Sequence, residues 1–347
     1  MTGPCPSRSR RGTALAAASL TGLLAVAACG GTSAPGNGNG PGGDDLRQTA
    51  GDGSRYPLGV DSCGVGVQIE SAPERVVLLK SAAVPYLLEL GVLDRAVARA
   101  GAYPRGYYDD EEWATVEKVP LLTDRVDTTG HTQISRETVL AQDPDLVLGS
   151  ADSVDTAALA DVGIPLLEEP TLCADATTEP SFADVSDRLR TFGAVFDRSE
   201  RAEERVTALE ERVERLSARA EQVAKGRSAA VLYPTVGGGA TYAYGTRSMA
   251  HSQLEAAGLA NVFADVDERV FEVTAEELVS RDPDLLVLLH SNGQPGPVRD
   301  AALQLPGMTE VTAVTEDRVL VQLFNLVEPP SPLSVDGLER LVEELER

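Results

Sequence analysis

Histidine, the side chain most often used as a general base or a metal ligand, occurs only three times in 347 residues, at His131, His251 and His290. No pair has the H-E-x-x-H spacing that sets two imidazoles on one helix face around zinc. No His-rich loop exists, so a bare-ion carrier, which gathers several His and carboxylates, is not expected. No Gly-x-Ser-x-Gly elbow precedes a helix, which removes that hydrolase nucleophile. Gly237-Gly238-Gly239 lacks the Gly-Lys-Ser/Thr that completes a phosphate loop. The acidic residues are spread along the chain and mark no carboxylate pair. An enzyme, a cofactor and a resident metal are therefore not expected. Tyrosine and arginine instead gather in short stretches, around Tyr103 to Tyr108 and around Tyr242 to Arg247. Tyrosine offers a large rigid face at low entropic cost, and arginine offers a fork for oxygen anions. That chemistry is recognition without bond making.

Cysteine is the other informative residue type. Arg8, Arg10 and Arg11 precede a short Ala-rich apolar run, Thr13 to Ala28, too short for a confident spanning helix. The run ends in Val26-Ala27-Ala28-Cys29-Gly30, which resembles a bacterial lipobox. That resemblance implies a signal peptide over 1–28 and a diacylglycerol on Cys29; the alternative is an ordinary signal peptide cut after Ala28. Residues 29–55 are Gly-rich and bury nothing, as a flexible tether would. Of the four cysteines, Cys5 leaves with the signal peptide and Cys29 takes lipid. Cys63 and Cys173 remain in an oxidising compartment, as a disulfide or as two buried thiols. The formal net charge of −24 is spread along the chain. It reads as a solvated acidic surface and argues against nucleic-acid binding.

An internal repeat dictates the architecture. Ile134-Ser-Arg-Glu-Thr-Val-Leu-Ala-Gln-Asp-Pro-Asp-Leu-Val-Leu-Gly149 matches Val273-Thr-Ala-Glu-Glu-Leu-Val-Ser-Arg-Asp-Pro-Asp-Leu-Leu-Val-Leu288. Ser135 and Thr274 are N-caps, a short amphipathic helix follows, and Asp-Pro stops it. The apolar runs Leu146–Leu148 and Leu285–Leu288 suit strands buried on both faces of a parallel sheet. Gly91 and Gly258 each close an earlier helix in a left-handed turn. Further strands are expected at Val76–Leu79, Gly163–Glu168, Ser228–Tyr233 and Val319–Phe324, with a terminal helix over Leu333–Glu346. The fold class is thus α/β, with two similar Rossmann-like lobes on central parallel sheets. An N-terminal lobe over 56–180 and a C-terminal lobe over 227–347 flank a helical region, 181–226. There, Val206, Leu209, Val213 and Leu216 stripe a helix of roughly 40 Å. The stripe suits packing across both lobes, or a coiled-coil dimer; a monomer is expected.

Ala72-Pro-Glu-Arg-Val-Val77, the two Asp-Pro-Asp-Leu segments and Leu254-Glu-Ala-Ala-Gly-Leu-Ala-Asn-Val-Phe263, in this order, resemble the helical-backbone periplasmic binding proteins. These are the ferric-siderophore and cobalamin group, and the resemblance runs from about Tyr56 to the C-terminus. It implies a lipid-anchored, extracytoplasmic component of an ABC importer, with a permease and its ATPase as partners. The solute implied is a ferric siderophore, with cobalamin or haem as alternatives. Outside that class stand bare metal-ion binding and a structural lipoprotein. The family's docking glutamates, one on each lobe, map to Glu137 and Glu276, each seven residues before its proline, with Glu277 as the neighbour one register away. Asp61-Ser-Cys-Gly and Thr171-Leu-Cys173 look like an actinobacterial version of the family, which implies pairing Cys63 with Cys173. Its ligand cleft, at strand ends between the lobes, implies Tyr103, Arg105, His131, Tyr242, Tyr244, Arg247, Phe271 and Asn325 as contacts. Trp113 ranks below them, as a lobe-surface anchor.

Overall fold

A computed structural model describes residues 55–125, 132–173, 176, 178–291 and 294–347. Cys29, the tether and His131 lie outside the described residues.

The N-terminal lobe begins with a hairpin that the repeat does not foreshadow, β1 (Leu58–Ser62) and β2 (Val65–Ile69), paired antiparallel with Ser62 opposite Val65. Its two-residue turn is Cys63-Gly64, with φ of 55° and 75°. Two left-handed residues in a row match the turn to the twist of the strands, and the second is the glycine this demands. Then come β3 (Val76–Leu78), α1 (Val84–Leu90), β4 (Ala96–Ala100), α2 (Asp110–Val116) and β5 (Leu121–Thr123). After them follow α3 (Arg136–Leu140), β6 (Leu146–Leu148), α4 (Thr156–Ala160) and β7 (Leu166–Leu167). The five strands β3 to β7 form one parallel sheet in the order β5-β4-β3-β6-β7. Val76, Val77 and Leu78 and the three residues of β6 are all buried, which is why these runs show no alternation.

Two helices leave this lobe, α5 (Phe182–Val195) and α6 (Ser199–Ala224). At about 1.5 Å per residue, the 26 residues of α6 span roughly 39 Å. Its buried residues, Ala202, Val206, Leu209, Leu216, Ala220 and Ala224, fall on three- and four-residue steps. Ala202 packs so close to α5 that a Cβ on Gly193 would lie 2.4 Å from its own, so only glycine fits there. Arg205 pairs with Glu89 at the end of α1 in the first lobe. Arg212 pairs with Asp336 and Glu339, and Arg219 with Glu346, all in the second lobe. The stripe is consumed within the chain, across both lobes.

The C-terminal lobe contains β8 (Ser228–Pro234), β9 (Thr241–Tyr244), α7 (Met249–Ala256), β10 (Ala260–Asn261), β11 (Val270–Val273) and α8 (Ala275–Arg281). It continues with β12 (Leu285–His290), α9 (Pro295–Leu303), α10 (Thr312–Thr315), β13 (Val319–Leu323) and α11 (Pro332–Leu345). Strands β10, β8, β12 and β13 are parallel, as the apolar runs imply. Strands β9 and β11 extend the sheet antiparallel, in the order β11-β9-β8-β12-β13. The short Gly-rich connection 235–240 permits this, because an antiparallel neighbour needs only a tight turn and no crossover helix.

The two repeat segments are built alike. Ser135 Oγ accepts from Thr138 N and Thr274 Oγ1 from Glu277 N, each at 3.2 Å. Asp143 and Asp282 sit left-handed, at φ 50° and 42°, just before their prolines. The second aspartate of each motif then ties the strand it leads to a neighbouring strand. Asp145 accepts from the amides of Glu74 and Arg75 at 2.8 and 2.9 Å, ahead of β3. Asp284 accepts from Ser228 N at 2.7 Å and Ser228 Oγ at 2.9 Å, at the start of β8.

Candidate functional site

The C-terminal ends of the first sheet's strands meet loops of the second lobe. Chain direction across the sheet reverses between β3 and β6, and such a switch point opens a crevice in which α/β proteins place ligands. Lys80 follows β3, Ser150 follows β6, and Glu168 and Glu169 follow β7. Lys80 Nζ lies 3.1 Å from both Glu168 oxygens, and Ser150 N donates to Glu168 Oε2 at 2.9 Å. Arg188 of α5 donates to Glu168 O at 2.6 Å, stacks over Phe192 at 4.4 Å and approaches Glu169 to 3.8 Å. Burial pushes the Glu169 carboxyl up to about 7, against the opposing pull of Arg188 and with a further push from Glu168. The void between these groups is only about 10 Å³, roughly one water-sized sphere.

A larger cavity, of about 190 Å³, lies beside it and bridges the lobes. Thr171, Cys173, Ala176 and Thr178 line it from the first lobe, and Arg247 and Arg269 from the second. Arg247 is held by Asp267, Nε to Oδ1 at 2.7 Å. Arg269 Nη1 lies 3.1 Å from Oε2 of Glu328, a fully buried carboxylate that also accepts from Met249 N at 2.5 Å. Burial raises the Glu328 carboxyl, while Arg269 and the helix amides oppose that rise.

Of the residues implied for ligand contact, Arg247 lines this cavity and several others are committed elsewhere. Tyr103 is buried, donates to Leu78 O at 3.2 Å and lies under the Arg99 guanidinium, so it serves the first lobe's core. Tyr244 is buried within the second lobe. Phe271 is opposite Ala243 and packs on Phe263 at 5.3 Å. Strand alternation gives it the face of Ala243 and Leu232, away from Tyr242 and Tyr233. All three side chains sit in packed positions of their lobes, set by burial and strand facing that loop position alone does not reveal. Arg105 is exposed, ion-paired with Asp110 and over Trp113 at 5.9 Å. Asn325 is a lobe-to-lobe strut: its amide donates to Tyr107 Oη and its Nδ2 to Ser81 Oγ, both at 3.0 Å. Tyr86 Oη donates across the same seam to Pro330 O at 2.9 Å.

Tyr242 keeps 39% of its surface exposed on the face it shares with Tyr233. Tyr233 meets Phe324 edge-on at 6.0 Å and donates to Ser291 Oγ at 3.1 Å. Tyr107, Tyr108 and Trp113 form a second run, with centroids 6.1 and 6.0 Å apart. Tyr233 is close enough to Tyr107 to add to the burial that raises its hydroxyl. Aromatic groups from both lobes therefore adjoin the seam. Tyr233, Phe324, Lys80, Glu168, Glu169, Arg188, Arg269 and Glu328 were missed by sequence reasoning. A signal for the carboxylates existed, in Glu168-Glu169 directly after an apolar strand.

Glu137 and Glu276 are both exposed, one residue into α3 and α8. First-turn backbone amide and Ser135 hydrogen bonds hold the Glu137 carboxyl below its usual range. Glu277 is engaged with Arg281 at 2.9 Å, so Glu276 is the one of the two with no ion pair among the described residues. Cys63 and Cys173 form a disulfide, S–S 2.01 Å, that joins the β1–β2 turn to the cavity wall. Among the described residues, no group of three or more His, Cys, Asp or Glu is placed to hold a metal ion.

Residues 76–322, which span both sheets and the backbone helix, match the model of a family described as periplasmic binding protein. The chain belongs to that family. Its members are solute-binding transport components, which agrees with a two-lobed fold whose polar cavity lies between the lobes. A crystal structure from Saccharomonospora viridis, of an ABC-type Fe3+-hydroxamate transport system, is 52% identical, with a TM-score of 0.79 over 84% of this chain and all of that one. The uncharacterized ABC transporter substrate-binding lipoprotein YvrC of Bacillus subtilis is 22% identical, over 84% of this chain and 86% of its own length. A cobalamin-binding protein of Halobacterium salinarum is 25% identical, over 81% of this chain and 72% of its own.

Proposed function

We propose that the chain is the extracytoplasmic solute-binding component of an ABC importer and captures a ferric hydroxamate chelate between its lobes. The observation that carries the ligand class is the charge balance of the cleft. Lys80, Arg247 and Arg269 are each matched by a carboxylate, Glu168, Asp267 and Glu328, and Arg188 lies 3.8 Å from Glu169, whose carboxyl burial raises to about 7. Arginine was expected to complement an anionic chelate, but the two guanidiniums that line the cavity, Arg247 and Arg269, have their charge already answered. A trianionic catecholate complex entering a chain of net charge −24 finds little free positive charge to offset repulsion. A ferric trihydroxamate is neutral or singly positive, and its polarised oxygens need only the donors the arginines have left. The Saccharomonospora viridis likeness supports the same class.

The cavity of about 190 Å³ is smaller than the roughly 300–1,000 Å³ typical of ligand pockets. The chelate thus fills it with one part and extends toward the aromatic groups at the seam. Helix α6 braces both lobes, so capture involves a small tilt and no large closure. Cys29 carries the lipid anchor, residues 29–55 serve as tether, and Glu137 and Glu276 dock on cationic groups of the permease. Quenching of the single tryptophan, Trp113, tests the ligand class against ferrichrome, ferrioxamine B, ferric enterobactin, cyanocobalamin and haemin. Saturable sub-micromolar binding of a ferric trihydroxamate, absent for its iron-free form, is expected. Binding of cyanocobalamin or haemin alone would move the substrate to that class.

A further inference from the structure

Most of the cavity's lining comes from one short stretch. Thr171, Cys173, Ala176 and Thr178 follow β7 and precede α5, and the only regular element described there is the single turn Pro170–Leu172. Beyond that turn the described lining residues belong to no helix or strand that would hold them, so a tie from outside bears on their position. The hairpin β1–β2 is a fixed abutment by comparison. Val60, Val67 and Ile69 are buried in the main core, Tyr56 Oη donates to Val195 O at 2.8 Å, and Ser62 Oγ accepts from Glu168 N at 2.9 Å. Cys63 occupies the first left-handed position of the hairpin turn, where Asn, Asp or Gly is ordinarily preferred. A cysteine there is locally unfavourable, and its return is the bond to Cys173, 110 residues away.

We infer that the β1–β2 hairpin and the Cys63–Cys173 disulfide position the first-lobe wall of the ligand cavity, so that the redox state of this bond sets ligand affinity. The inference rests on the cavity being the ligand site proposed above. Reduction by a dithiol delivers two electrons and two protons; the S–S bond becomes two thiols and the reductant leaves as its cyclic disulfide. The hairpin keeps its own core contacts, while the wall loses its external tie. Ligand binding must then supply the ordering that the bond provides beforehand.

The test pairs amide hydrogen exchange with ferrichrome titration, on oxidised protein, dithiothreitol-reduced protein and the Cys63→Ser/Cys173→Ser variant. Exchange is expected to rise in peptides covering 166–173 and to stay unchanged in β8 and β12. Ferrichrome affinity is expected to fall on the order of tenfold. Equal affinity in both redox states overturns the inference. So does exchange that rises throughout the protein, which assigns the bond to the fold as a whole. A glycine inserted between Cys63 and Gly64 keeps the bond and slackens it; full affinity in that variant also counts against a positioning role. If oxidised protein binds none of the chelates, the proposed ligand class fails, and the exchange data still decide whether the bond holds the wall.

Discussion

The two lobes are alike where their repeat motifs sit and unlike where they face each other. Asp145 and Asp284 perform the same task, each tying the strand it leads to backbone amides at or just before the start of a neighbouring strand. Asp143 and Asp282 make the same left-handed stop before proline. At the cleft the likeness ends. The first lobe presents Lys80, Glu168 and Glu169 from parallel strand ends, while the second presents Arg247, Arg269 and Tyr242 from an antiparallel extension that the first lacks. One scaffold thus serves two surfaces: the symmetric one suits a bivalent dock, and the asymmetric one suits a ligand with two different ends.

The largest effect expected is on the symmetric surface. Charge reversal at both Glu137 and Glu276 should reduce uptake to background while ferrichrome affinity stays unchanged. Uptake that survives the double change would break the docking half of the comparison. At the asymmetric surface, Arg269→Ala strands Glu328, a fully buried carboxylate. The expected loss is about 3–5 kcal/mol in chemical denaturation. Arg247→Ala, which breaks a pair whose aspartate is 71% exposed, should leave the denaturation midpoint close to that of the wild type.

Asp145→Ala and Asp284→Ala sharpen the likeness. Each removes a charged acceptor of two hydrogen bonds, and each should destabilise by about 1.5–3 kcal/mol. The second-lobe variant is expected to lose more, because Asp284 is partly buried and its partner Ser228 with it. A further effect is a change of slope. Burial raises the Glu169 carboxyl to about 7 in the folded chain, above the unfolded value of 4.5. A raised carboxylate contributes stability that is fully present below the unfolded value and is lost as pH rises toward the folded one. Tm should therefore decline from pH 4.5 to 7 more steeply in the wild type than in Glu169→Gln; parallel profiles would contradict this.

The repeat was legible because its signals are local: caps, a proline stop and apolar runs all act within sixteen residues. The backbone helix was legible for the same reason, its stripe lying on one element. The cleft was not, because its pairs join distant segments: Lys80 with Glu168, and Arg269 with Glu328. No spacing rule predicts such partners. Phe271 shows a subtler limit. A strand places neighbours on opposite faces, so once β11 is recognised, pairing register alone decides whether Phe271 or Glu272 faces Tyr242. The β1–β2 hairpin could have been read from Cys63-Gly64 between two alternating segments, had a cysteine been accepted at that turn position.

Capture between the lobes requires an open cavity, and filling that cavity should abolish it. Ala176→Trp inserts an indole among Thr171, Thr178, Arg247 and Arg269. Ferrichrome titration by calorimetry should show binding lost in the variant, with Tm close to the wild type. Unchanged affinity in a folded variant would put the ligand elsewhere on the molecule.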